Sequence, residues 1–63
     1  MNFESWLAKV SEFLILAVGF DVDDWPDQDY YAAYSDGVPA KEMAYQAIAN
    51  EYGDTVASDF IKL

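Results

Sequence analysis

The sequence predicts an all-α fold, a compact bundle of three to four short helices making a single domain over residues 1–63. Three observations predict it. Apolar residues recur at steps of three and four, Pro and Gly punctuate the chain between the apolar runs, and no window alternates apolar and polar residues as a half-buried strand does. No internal repeat or low-complexity tract competes with this reading.

The first helix is expected over about 3–18. Phe3, Trp6, Leu7, Val10, Phe13, Leu14, Ala17 and Val18 lie on one stripe, with Asn2, Glu4, Ser5, Lys9, Ser11 and Glu12 between them. Asn2 suits an N-cap, and Gly19 suits the left-handed residue that ends a helix. In the second half Leu14, Ile15, Leu16, Ala17 and Val18 leave no polar face, so that end is expected to be central in the core or covered by another chain.

A second helix is expected over about 26–35. Pro26 ends any continuation of the first helix and fits a first turn, Tyr30, Ala33 and Tyr34 share a face, and Asp36-Gly37 is a turn pair. The third is expected over about 39–52, opened by Pro39, carrying Met43, Ala44, Ala47, Ile48 and Tyr52 at helical spacing and ended by Gly53. Asp54 or Thr55 is expected to cap a fourth over about 55–62. Its apolar positions are Val56, Phe60 and Ile61, with Lys62 at the favourable end of its dipole.

Composition narrows the function. A chain of 63 residues buries only ~60% of the surface its unfolded form exposes, and without Cys or His it has neither disulfides nor a zinc site to compensate. Yet 54% hydrophobic and 17% aromatic residues are too many for a disordered chain, even at a net charge of −9. Twelve acids stand against three lysines (Lys9, Lys41 and Lys62). That balance excludes a phosphate-backbone or anionic-membrane partner and points to a basic protein surface, approached faster at low salt. The longest apolar run, Phe13 to Phe20, is well short of the roughly 20 residues a membrane span needs. The preceding segment lacks the basic leader of an export signal, so cytoplasmic residence is expected.

Catalysis lacks its usual parts. Ser5, Ser11, Ser35 and Ser58 have no His to activate them, there is no Cys nucleophile, and a paired-carboxylate site needs a cleft that so small a chain can barely enclose. No enzyme activity and no cofactor are expected. Asp21, Asp23, Asp27 and Asp29 match positions 1, 3, 7 and 9 of a calcium loop. Trp25, Pro26 and Ala32 then break the pattern at 5, 6 and 12, so no EF-hand site is expected and weak divalent binding ranks last.

The acids Asp21, Asp23, Asp24, Asp27, Asp29 and Asp36 fall in a stretch with no lysine. Asp21, Asp24 and Asp27 have a plain local explanation as caps of helix starts, and solubility explains further charge. A run that exceeds capping nevertheless suggests a recognition surface, one version of which imitates the phosphate rows of nucleic acid. Trp25 and Tyr31 are the aromatic residues expected at its rim, because Tyr and Trp beside acids are what protein-binding hot spots favour. Phe3, Trp6 and Phe13 belong on the core stripe.

The segment Gly19-Phe20-Asp21-Val22-Asp23-Asp24-Trp25-Pro26-Asp27-Gln28-Asp29-Tyr30, followed by Tyr34, Asp36-Gly37-Val38, Ala44 and Ala47-Ile48, resembles a family of small acidic proteins carried by phages and plasmids, with no established activity. Its marks are a Gly joint, an Asp-x-Pro-Asp corner, a Tyr-rich short helix, an Asp-Gly turn and an Ala-rich helix. The resemblance covers roughly 3–50 and leaves 53–63 outside it. Trp25 stands where the family has leucine, and Val38-Pro39 replaces a Ser-Pro opening, which weakens the cap of the third helix. The resemblance implies a mobile-element setting. By analogy with small acidic phage proteins, it implies inhibition of a host nucleic-acid-handling protein through its basic groove. The rival reading is a homo-oligomeric scaffold, a homodimer in its simplest form, joined through Leu14, Ile15 and Leu16.

Overall fold

A computed structural model of the chain describes residues 2–61, and these form four helices: α1 (Phe3–Val18), α2 (Tyr30–Ser35), α3 (Ala40–Tyr52) and α4 (Asp54–Phe60). The all-α class expected from the sequence is the one observed, and no strand occurs among the described residues. The ends of α1 lie where the sequence put them. Asn2 Oδ1 accepts the Ser5 amide at 2.8 Å, and Gly19, at φ +83°, donates its amide to Ile15 O.

Helix α2 starts later than expected, at Tyr30 in place of Pro26. The residues from Pro26 to Asp29 stay outside the helix, and Gln28 among them is tied to α3: its side-chain oxygen accepts from Asn50 at 2.8 Å and its amide nitrogen donates to Glu51 at 3.3 Å. The Tyr30 amide then turns back on Gln28 O at 2.8 Å across Asp29 (φ −81°, ψ 69°), an inverse γ-turn, and Asp29 Oδ1 caps the helix through the Ala32 amide. The exit of α2 matches the Asp-Gly reading. Gly37, at φ +80°, donates to Tyr34 O and Val38 to Ala33 O, the paired bonds of a Schellman ending.

Helix α3 opens at Ala40 with Pro39 as its cap and no side-chain bond there, as the loss of a Ser-Pro opening implies. Helix α4 runs Asp54–Phe60 where 55–62 was expected, and neither Asp54 nor Thr55 caps it. Gly53, at φ +95°, occupies the cap position and passes the chain straight from α3 into α4, so Asp54 is already helical. The expected role of Lys62 lies outside the described residues.

The core is built where α3 packs against both α1 and α4. Trp6, Val10 and Leu14 of α1 meet Met43, Ala44, Ala47 and Ile48 of α3, and Ala57 and Ile61 close the far side. Ala44, Ala47 and Ala57 are fully buried and keep the helices close. Tyr45 fixes the corner between α3 and α4 through its hydroxyl, 3.1 Å from Ser58 Oγ. Helix α2, only six residues, is too short to persist alone and rests on aromatic packing: Phe3 lies 5.2 Å from Tyr31 and 5.4 Å from Tyr34, and Trp6 lies 5.6 Å from Tyr34, centroid to centroid.

Candidate functional site

The connector from Gly19 to Asp29 leaves the C-terminal end of α1 and returns past it to deliver α2 beside Phe3, at the other end of a helix about 24 Å long. Its path is pinned at intervals. Ser11 Oγ accepts the Val22 amide at 3.3 Å, Asp21 Oδ1 accepts the amides of Asp23 and Asp24, and the Trp25 indole N–H donates to Ala47 O at 3.1 Å. Trp25 is therefore not a rim residue. It is 6% exposed, its ring packs edge-on to Tyr52, and the sequence-based placement of it on a recognition surface is corrected to the core. Burial is favoured because the bulky ring completes the apolar contact with α3 while its polar edge finds a helix carbonyl.

The acids divide into two kinds. Asp21 and Asp29 are engaged by backbone amides and have a structural task. Asp23, Asp24, Asp27 and Asp36 are exposed, and among the described residues their carboxylates make no hydrogen bond and no ion pair. The expectation that Asp24 and Asp27 cap a helix start is thus corrected, since the turn and the helix take Asp21 and Asp29 instead. Asp36 sits at the C-terminal end of α2, where the helix dipole disfavours an acid. The ion pair found among the described residues is Lys9–Glu12, at 3.2 Å on the exposed face of α1.

Tyr31 is 64% exposed while the edge of its ring meets Phe3, so it combines surface and packing. Tyr30 behaves differently. Its hydroxyl is buried without a hydrogen-bond partner, and burial, reinforced by the nearby Asp27 charge, pushes its pKa up from 10.0 to about 12. Among the described residues no group of three acids converges as a metal site. No helix there is long and apolar enough to cross a membrane.

A second feature was not foreseen as a unit. Ala17, Val18, Phe20, Trp25, Tyr52, Val56 and Phe60 line an open, mostly apolar groove of about 390 Å³. Beside it Phe13, Leu16, Ala17, Lys41, Phe60 and Ile61 line a smaller hollow of about 260 Å³, so that Ala17 and Phe60 belong to both. Of the residues expected to join two copies, Leu14 is fully buried within its own chain and is corrected to the core, whereas Ile15 and Leu16 are exposed, Leu16 to 81%. Helical rotation of 100° per residue separates them: Leu14 continues the stripe of Trp6 and Val10, and its two successors turn outward.

No family model matches the chain, and no solved structure matches it. Curated phage proteins do. The Gene 87 protein of Mycobacterium phage D29 is 40% identical over 53 residues, 84% of this chain and 98% of that protein. The Gene 87 protein of Mycobacterium phage L5 is 35% identical over 52 residues, 82% of this chain and 98% of that protein. Their names state no activity. With a full-length relative at that level of identity, the chain belongs to the family of these small mycobacteriophage Gene 87 proteins.

Proposed function

We propose that this phage protein is a binding module that docks on a basic surface of a host or phage protein, and that it inhibits a nucleic-acid-handling protein by occupying the groove meant for phosphates. One observation carries the reading: Asp23, Asp24, Asp27 and Asp36 are exposed, without a partner among the described residues, and surplus to the caps that hold the connector. Like charges held without partners cost stability, so a surface of them is best accounted for by a cationic partner. Tyr31, 64% exposed, supplies an aromatic contact. A binding role, as opposed to a catalytic one, fits a chain with no His and no Cys.

The test is capture from a mycobacterial lysate by the native chain and by a variant with Asp23, Asp24, Asp27 and Asp36 changed to Asn. The native chain is expected to retain a DNA- or RNA-handling protein at low salt, release it as salt rises, and outperform the variant by ~10-fold. Equal capture by the variant would remove the reading.

A second reading is favoured by the exposure of Ile15 and Leu16: self-association through α1. It requires a dimer that sediments alike at low and high salt and dissociates on Leu16→Glu.

A further inference from the structure

The two buried tryptophans each donate an indole N–H to a backbone carbonyl, and the two bonds bracket one segment of the chain. Trp25 is fixed to α3 through Ala47 O at 3.1 Å, and Trp6 reaches from α1 to Val38 O at 2.9 Å. Between these points run residues 26–37, the last part of the connector together with the whole of α2.

The attachments of this segment differ in kind from those of the core. No residue of α2 is buried, whereas α1, α3 and α4 each send fully buried side chains inward. Exposed side-chain bonds tie Gln28 to Asn50 and Glu51, and ring contacts set Tyr31 and Tyr34 against Phe3 and Trp6. Tyr30 buries its hydroxyl without a partner, and lifting the segment returns that group to water. A six-residue helix gains little from its own hydrogen bonds. Few buried contacts and backbone bonds close to solvent are the conditions for local opening well below the free energy of global unfolding.

Charge adds to this. Asp27, Asp29 and Asp36 lie on the segment, Asp23 and Asp24 just precede it, and the Glu51 carboxylate meets it at Gln28. The sequence has no Lys or Arg between Lys9 and Lys41, and the ion pair among the described residues, Lys9–Glu12, does not involve the segment. Like charges gathered without a cation separate when the segment lifts, and dissolved salt weakens that drive.

We propose that residues 26–37 form a charge-controlled flap, which opens as a unit between the two tryptophan anchors while α1, α3 and α4 stay packed, and which closes as its acids are screened. Opening uncovers the faces of Phe3 and Trp6 on which α2 rests. The flap goes beyond the docking reading and is tested on the protein alone, so each can fail without the other.

The experiment is amide hydrogen exchange of the full chain, followed by NMR across a urea series at about 20 mM and about 500 mM NaCl, with protection corrected for intrinsic rates. The amides of Ala33, Asp36 and Val38, which donate to backbone carbonyls within the segment or beside it, report the flap. Those of Val10, Leu14 and Ile48, with the Trp25 indole N–H, report the core and its anchor. Flap amides are expected to be at least ~10-fold less protected than the core group and to depend less on urea. High salt should raise their protection several-fold, and the double change Asp27→Asn and Asp36→Asn should do the same at low salt. One protection and one urea dependence for both groups would mean that the chain opens only globally, and would overturn the flap. Flap protection that neither salt nor the double variant moves would overturn its control by charge. A Trp25 indole that exchanges with the flap amides would overturn the anchor, and the proposal with it.

Discussion

The Tyr30 hydroxyl is the polar group this fold leaves worst served: buried, without a partner, and beside the Asp27 charge. Removing it abolishes a desolvation penalty with little loss of packing, so Tyr30→Phe is expected to leave stability unchanged or raise it by about 0.5–1 kcal/mol in urea denaturation. Its pKa, about 12 against an ordinary 10.0, also has a signed consequence. The folded state holds the proton more tightly than the unfolded state, so the contribution is complete below pH 10 and is lost as pH rises toward 12. Tyr30→Phe should flatten that alkaline loss, and identical alkaline melting curves for the two chains would show that Tyr30 does not carry it. Trp25 is the opposite case. Trp25→Phe removes the bond to Ala47 O and part of the ring's packing, at an expected cost on the order of 1–2 kcal/mol by the same denaturation. Reading Trp25 as surface followed from its acidic neighbours in sequence. In a turn, side-chain direction has no periodicity to follow, and only the position of α3 reveals that the ring faces inward.

At the scale of elements, caps decided what could be read. Asn2 and Gly19 bound α1 in sequence and in structure because each satisfies its backbone task locally. The start of α2 could not be placed this way. Pro26 and Asp29 are both competent openings, and Gln28 between them is bonded to Asn50 and Glu51, in a helix more than twenty residues away. This yields a sharp contrast: Asp29→Ala should destabilise by about 1 kcal/mol, whereas Asp29→Asn, which retains a capping oxygen, and Asp27→Asn should not. Thermal melts of the three variants side by side check it, and equal losses in all three would mean that charge, not capping, is the contribution of Asp29. The groove was illegible for a related reason. Phe20, Trp25, Tyr52 and Phe60 come from the connector and two helix ends, so no single window of sequence contains the surface they make.

For the whole molecule, the balance lies between a small core and a large uniform charge. A radius of gyration of 10.5 Å is about what 63 residues at native density occupy, so a charge of −9 is confined to a small body with few cations to offset it. The acidic excess was fully legible in composition. What composition could not divide was the part that serves the fold, Asp21 and Asp29, from the part that does not, Asp23, Asp24, Asp27 and Asp36. If those four oppose folding in the free protein and are satisfied by a partner's cations, screening should stabilise the chain, and neutralising them should do the same. The most direct test is the melting temperature of the native chain and of the chain with all four changed to Asn, at about 20 mM and about 500 mM NaCl. The variant is expected to melt higher at low salt by about 4–8 °C, the shift that ~1 kcal/mol produces in a domain of this size, and the gap should close at high salt. A variant that melts lower than the native chain at both salt concentrations would show that these acids hold the fold together, and would contradict the account.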